Sequence, residues 1–214
     1  TFIFLAAFVS GVCLPSDAQA RSSKRSSKSS QKKKAAPHVI SAKSALLMEV
    51  RSGRKLYSKT STRKILPAST TKILTAILVL ERLNLDDHVM ISRKAAAALP
   101  SKIYTDAGDK YRVRDLLYAA LLKSANDAAV ALAEAVAGSE AKFVAMMNRR
   151  AAQIGARSTL FANPHGLPDD DPQYSTAYDM ALILREAMKK EFFRKAMQTR
   201  HKKIVSQKGK VISL

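Results

Sequence analysis

Pro67-Ala68-Ser69-Thr70-Thr71-Lys72-Ile73-Leu74-Thr75-Ala76-Ile77-Leu78-Val79-Leu80 is the stretch that decides how this chain is read. Pro67 pre-sets a helical φ near a helix start. The run from Ile73 to Leu80 is apolar on every face, which predicts a helix buried in a core. Ser69 then falls in the first turn, and residues three apart on a helix share a face, so Lys72 projects its amine beside the Ser69 oxygen. A serine hydroxyl is a poor nucleophile at neutral pH and needs an adjacent base. A lysine amine serves as that base only where burial or nearby cations lower its pKa. Free N–H groups and the positive dipole end of the first turn favour a developing oxyanion. The competing reading of Ser69 is an ordinary N-cap.

The spacing alone is weak, because S-x-x-K occurs six times, starting at Ser29, Ser30, Ser52, Ser61, Ser69 and Ser139. Two of these lie in a basic, serine-rich stretch, one in a turn with Gly53 and one in a polar loop. Ser139 follows Gly138 and reads as an N-cap. Only Ser69 combines a proline-initiated start with an apolar helix behind it.

Ser124-Ala125-Asn126 lies fifty-five positions downstream of Ser69 and is the only S-x-N in the chain. It separates two helical patterns, Leu116 to Leu122 and Ala128 to Val136, the second stopped by Gly138. Between two buried helices a hydroxyl and a carboxamide can point into one cleft. Ser124 would relay a proton to a leaving group, and Asn126 would bind a substrate amide. An N-cap pair for the second helix is the alternative.

The S-x-x-K and S-x-N pair resembles the active-site serine penicillin-binding proteins and β-lactamases. The resemblance is nearest to the D-alanyl-D-alanine carboxypeptidases and the related peptidoglycan D,D-endopeptidases. It rests on Pro67 to Lys72, on Leu121-Leu122-Lys123-Ser124-Ala125-Asn126-Asp127-Ala128-Ala129, on Asn163-Pro164-His165-Gly166-Leu167 and on Tyr174 to Met180. It implies Ser69 as acyl-ester nucleophile, Lys72 as proton acceptor, Ser124 as proton relay and Asn126 as a substrate contact. It also implies an antiparallel sheet flanked by helices beside an all-α subdomain, with the cleft between them, and covalent trapping by β-lactams. The family's third motif, K-T-G or K-S-G, is absent from these residues. The resemblance places it a few tens of residues beyond Leu214, on a strand facing Ser124. The chain is therefore expected to be truncated at both ends, its sheet incomplete and these residues alone nearly inactive.

The formal net charge is +20 over 214 residues, but it is not spread evenly. Residues 21–34 carry seven Lys and Arg and no acid, and Arg185 to Lys210 carry ten against two acids. Residues 1–20 read as the remainder of a secretory signal: Phe2 to Leu14 is too short to span a bilayer, and Ala18-Gln19-Ala20 is an A-x-A site. Cys13, the only cysteine, would leave with that signal, so the mature chain has no thiol chemistry or Cys-based metal site. Residues 21–36 read as a disordered basic linker. Its charge, through residues 21–34, can hold it near an anionic wall polymer or membrane surface; export makes nucleic acid the poorer partner.

By the resemblance, residues 37–214 are expected to be a partial D,D-peptidase domain lacking the C-terminal K-T-G strand. Val39 to Val50 and Lys55 to Ser58 read as a hairpin across Gly53, as do Ile204-Val205 and Val211-Ile212 across Gly209. Helices are expected at Ser69, on both sides of Ser124-Ala125-Asn126, from Ser139 to Ile154, and from Thr176 to Lys190 with a Thr176/Asp179 capping box. Strands, a helical block, then strands again argue for an α+β fold. His165, in a Pro/Gly/Asp loop, reads as loop-shaping rather than as a metal ligand, and neither metal nor cofactor is expected. The leading function is a serine carboxypeptidase on peptidoglycan stem peptides at the periplasmic or wall side of the membrane. The rivals are an endopeptidase, a class A-like β-lactamase and a non-catalytic cationic wall-binding module. No glutamate lies between Phe161 and Tyr174 to position a deacylating water, which counts against the β-lactamase.

Overall fold

The computed structural model describes Ile3–Ala7 and residues 40–214. The rest of the stretch read as a leader, and the whole of the basic linker, lie outside the described residues. Ile3–Ala7 forms β1, antiparallel to β2 (Ala45–Glu49), which pairs in turn with β3 (Lys55–Lys59). The β2–β3 turn is closed by its own side chain: the Glu49 carboxylate accepts from the Arg51 and Ser52 N–H groups at 3.0 and 2.6 Å. These bonds and the Ser52 hydroxyl hold the Glu49 pKa at about 2, the Ser52 side chain contributing most.

A 3₁₀ turn, Ala68–Thr71, leads into α1 (Lys72–Arg82), and Leu74 to Val79 are all buried. After β4 (His88–Met90), α2 (Arg93–Ala96) and β5 (Lys110–Arg112) come α3 (Val113–Leu122) and α4 (Asn126–Ala137). Next follow α5 (Glu140–Ile154), α6 (Ala177–Ala187) and α7 (Glu191–Gln198), then the hairpin of β6 (Lys203–Val205) and β7 (Val211–Ser213). The main core gathers Leu74 and Ile77 of α1 with Leu116, Leu117, Leu132, Phe143, Met147 and Phe193. A smaller cluster puts Leu46 and Met48 of β2 on Ala177 and Ala181 of α6. Helix α6 thus bridges sheet and helical block, because its two apolar faces meet α1 and β2.

Three differences from the sequence reading have physical causes. The first strand of the hairpin expected from Val39, β2, starts at Ala45, residue 40 being irregular and 42–44 bent, and the Thr60 hydroxyl donates to the Lys43 carbonyl at 2.6 Å. The short elements α2, α7 and β4–β5 escaped periodicity: α7 buries only Phe193 and Ala196, and the two strands have three residues each. The capping box is only half made. Thr176 Oγ1 accepts from Asp179 N at 3.0 Å, but the Asp179 carboxylate turns away to accept from Ser158 N at 2.7 Å and Thr159 Oγ1 at 2.8 Å. It ties the start of α6 to the loop after α5 instead of closing on its own helix.

Candidate active site

Ser69 sits in the 3₁₀ turn and is exposed, whereas Lys72 opens α1 and is only 2 % exposed. The i,i+3 relation sets the Lys72 Nζ 3.5 Å from Ser69 Oγ. Ser124 stands in the middle of the 123–125 connection from α3 to α4 in a left-handed conformation, φ +55°, which an L-residue adopts at a cost of order 1–3 kcal/mol. Its hydroxyl lies 3.2 Å from Lys72 Nζ. The N-cap of α4 is Ala125, not Ser124, so the capping alternative for Ser124 does not hold. Pro67, not Ser69, caps the 3₁₀ turn, and without a side-chain bond.

The third partner of the amine is the His165 backbone carbonyl at 3.0 Å. One helical turn further along α1, Thr75 Oγ1 donates to the Pro164 carbonyl at 2.7 Å. Lys72 and Thr75 share a face of α1, so the Asn163–Leu167 loop is pinned along it. Buried Asn163 shapes that loop as an Asx turn, its Oδ1 accepting from Gly166 N at 2.6 Å and its Nδ2 donating to the Leu167 carbonyl at 2.9 Å. Gly166 has φ +84°, and a Cβ there would stand 1.8 Å from the Ala68 carbonyl oxygen. Only a glycine lets the loop approach the residue before Ser69 this closely.

Burial lowers the Lys72 pKa to about 8. Burial also pushes the His165 imidazole below its ordinary value; Glu140 pulls it up and Lys72 pushes it further down. A carbonyl can only accept, so one Lys72 N–H is committed to His165. Once the amine loses a proton, its lone pair is left to the two serine hydroxyls. Such an amine can take a proton from one hydroxyl and return it through the other. Ser69, Lys72 and Ser124 line one cleft of about 290 Å³ with Ala120, Leu121, Leu184, Phe193 and Met197.

Asn126 does not join the hydrogen-bonded cluster. It is buried, one amide proton goes to the Leu99 carbonyl at 2.8 Å, and its backbone N–H goes to the Ser101 carbonyl at 2.7 Å. The next residue extends the same anchorage. The fully buried Asp127 carboxylate accepts from Ile103 N, Thr105 N and Thr105 Oγ1, each at 3.1 Å. Thr75, the His165 carbonyl, Gly166 and Asp127 had no assigned role in the sequence reading. Thr75, Gly166 and Asp127 all lie in the stretches that point to α1 or carry the resemblance, while a backbone carbonyl such as that of His165 leaves no signal in residue identity. Among the described residues no cluster of three His, Cys, Asp or Glu could hold a metal ion.

The sequence profile described as D-alanyl-D-alanine carboxypeptidase, peptidase S11, matches residues 30–212. The chain belongs to this family. It is 41% identical over 155 residues to D-alanyl-D-alanine carboxypeptidase DacF of Bacillus subtilis (strain 168), a match covering 70% of this chain and 40% of that protein. The crystal structure of D-alanyl-D-alanine carboxypeptidase DacD from Francisella tularensis superposes with a TM-score of 0.70 at 38% identity, covering 75% of this chain and 40% of that one. The Streptomyces K15 DD-transpeptidase gives 0.74 at 33% identity, covering 82% and 72%. The fold is thus that of the penicillin-binding D,D-peptidases, as the resemblance implied. The chain spans about two fifths of the length of the first curated relatives it matches.

Proposed function

We propose that the protein to which these residues belong is a serine-type D-alanyl-D-alanine carboxypeptidase that trims peptidoglycan stem peptides and is acylated by β-lactams. The observation that carries this reading is the buried Lys72 amine, within reach of two serine hydroxyls and with a pKa of about 8. Neutral Lys72 takes the Ser69 proton as Ser69 Oγ attacks the carbonyl between the two D-alanines. The tetrahedral adduct collapses, the C–N bond breaks, and Ser124 gives its proton to the departing amine while drawing one from the Lys72 ammonium. Water then attacks the ester with the roles reversed, releasing the shortened peptide and free Ser69. Asn126 would contribute its amide oxygen to the substrate, since one amide proton is already spent on Leu99.

The lining of the cleft around Ser69 includes no carboxylate among the described residues, which favours a long-lived penicilloyl ester over β-lactamase turnover. An endopeptidase would use the same groups on a cross-linked peptide. The Ala18-Gln19-Ala20 site supports export to the periplasmic or wall side of the membrane, and no helix of the described residues is long and apolar enough to cross a membrane. The test is labelling of the full-length protein with a fluorescent penicillin, followed by peptide mapping. Label is expected on Ser69 and lost in Ser69→Ala; undiminished label in that variant would sink the assignment.

A further inference from the structure

At the opposite end of α3 from Ser124, the paired strands β4–β5 and the β6–β7 hairpin form the walls of a groove of about 470 Å³. The helix has ten residues, so the groove lies about 15 Å from Ser124 along its axis. Arg112, Arg114, Lys202 and Lys203 line it with His88, and Asp115 is the only acid in the lining. We propose that this groove binds a linear phosphodiester polyanion.

Charge imbalance is the first support. Arg114 is paired with Asp86 at 2.6 Å, and its Nε is buried with no partner. Among the described residues, Arg112, Lys202 and Lys203 have no carboxylate within ion-pair distance. Like charges gathered in one concavity repel one another and focus a positive potential that a counter-anion relieves. The cations also face the same space. Burial raises the Asp115 pKa, and Lys202, Arg112, Arg114 and His88 all act on it in the opposite sense.

The walls are braced rather than loose. Gln207 N donates to the Lys110 carbonyl at 2.8 Å, joining the β6–β7 turn to β5, and Leu214 N donates to the Lys202 carbonyl at 2.7 Å. The Lys202 ammonium lies 5.1 Å from the centre of the Tyr118 ring, which steadies it at the groove. The Arg112 guanidinium fork, which has no carboxylate partner among the described residues, suits phosphate oxygens geometrically. A concave groove fits a thread of charge better than a flat bilayer. The proposal rests on this groove and not on the acyl-transfer reading, so either can fail alone.

Titration calorimetry of the whole chain with soluble poly(glycerol phosphate) tests it, with inorganic phosphate and vesicles of phosphatidylglycerol in phosphatidylcholine as separate arms. The Arg112→Glu/Lys202→Glu variant should lose at least about tenfold in polymer affinity and show a shallower salt dependence. Arg112→Gln/Lys202→Gln, which is gentler on the fold, should lose in the same direction. Reversal of two exposed cations on α5, Lys142→Glu/Arg149→Glu, should cost less than about twofold. Equal losses from the α5 pair would make the effect one of net charge and overturn the proposal. So would unchanged binding in the groove variants, which would assign the polymer to residues 21–34. Vesicle binding that falls in the groove variants as far as polymer binding does, or binding of inorganic phosphate as tightly as polymer, would overturn it as well.

Discussion

Lys72 Nζ donates to Ser124 Oγ at 3.2 Å across fifty-two positions of sequence, a shorter contact than the 3.5 Å to its own helical neighbour Ser69. The amine therefore stands between two hydroxyls, and its protonation state governs both.

Acylation should follow that protonation state. With the Lys72 pKa near 8, the ammonium form predominates below pH 8 and the free base above it. The second-order rate of Ser69 labelling by penicillin is expected to rise with pH and level off above about 8. Stopped-flow or quench measurements across this range check it; a flat profile would assign the base to another group.

The same burial carries a stability cost. The folded-state pKa of Lys72 is depressed below 10.5, so the unfolded chain binds more protons between about pH 8 and 10.5, and below that range the buried charged amine destabilises the fold. That penalty, about 3 kcal/mol, is full below pH 8 and vanishes as pH rises toward 10.5. Lys72→Met is expected to abolish labelling yet raise the melting temperature at pH 7, with the gain shrinking between pH 8 and 10. A lower melting temperature at pH 7 would refute this account.

Gly166→Ala should damage both fold and site. The added methyl would sit 1.8 Å from the Ala68 carbonyl and 2.7 Å from Thr71 Oγ1, so the loop or the 3₁₀ turn must move. Either movement separates the His165 carbonyl from Lys72. A loss of about 3 kcal/mol or more is expected from overpacking at a positive φ, together with severely slowed labelling. Chemical denaturation and labelling rates measure the two effects; retention of both would contradict the packing.

Asp127→Asn replaces an acceptor oxygen with a donor opposite the Ile103 and Thr105 N–H groups. A loss of about 2 kcal/mol is expected, with faster hydrogen exchange at those two amides. Because Asn126 holds the same loop through Leu99 and Ser101, acylation should also slow, though less than in Lys72→Met. Unaltered exchange at Ile103 and Thr105 would show that the carboxylate does not anchor the loop.

What the sequence determined by itself was local. The apolar run after Pro67 dictates α1, apolar periodicity predicts α3 to α6 with a stop at Gly138, and Ser139 and Thr176 mark two starts. The Ser69–Lys72 proximity is equally local, being a property of one turn of helix. Only the tertiary structure decided which hydroxyl and which carbonyl meet the amine, since Ser124 and His165 reach it from fifty-two and ninety-three positions away. Asn126 shows the limit most plainly: its motif pointed to Ser69, but a buried amide must satisfy its own donors, and the Leu99 carbonyl takes one of them. Gly166 was visible as a letter, but not the Ala68 carbonyl it must clear. Periodicity and capping are encoded by neighbours in sequence, whereas these contacts depend on how α1, α4 and the 163–167 loop pack together. Several of them run through backbone atoms that every residue shares.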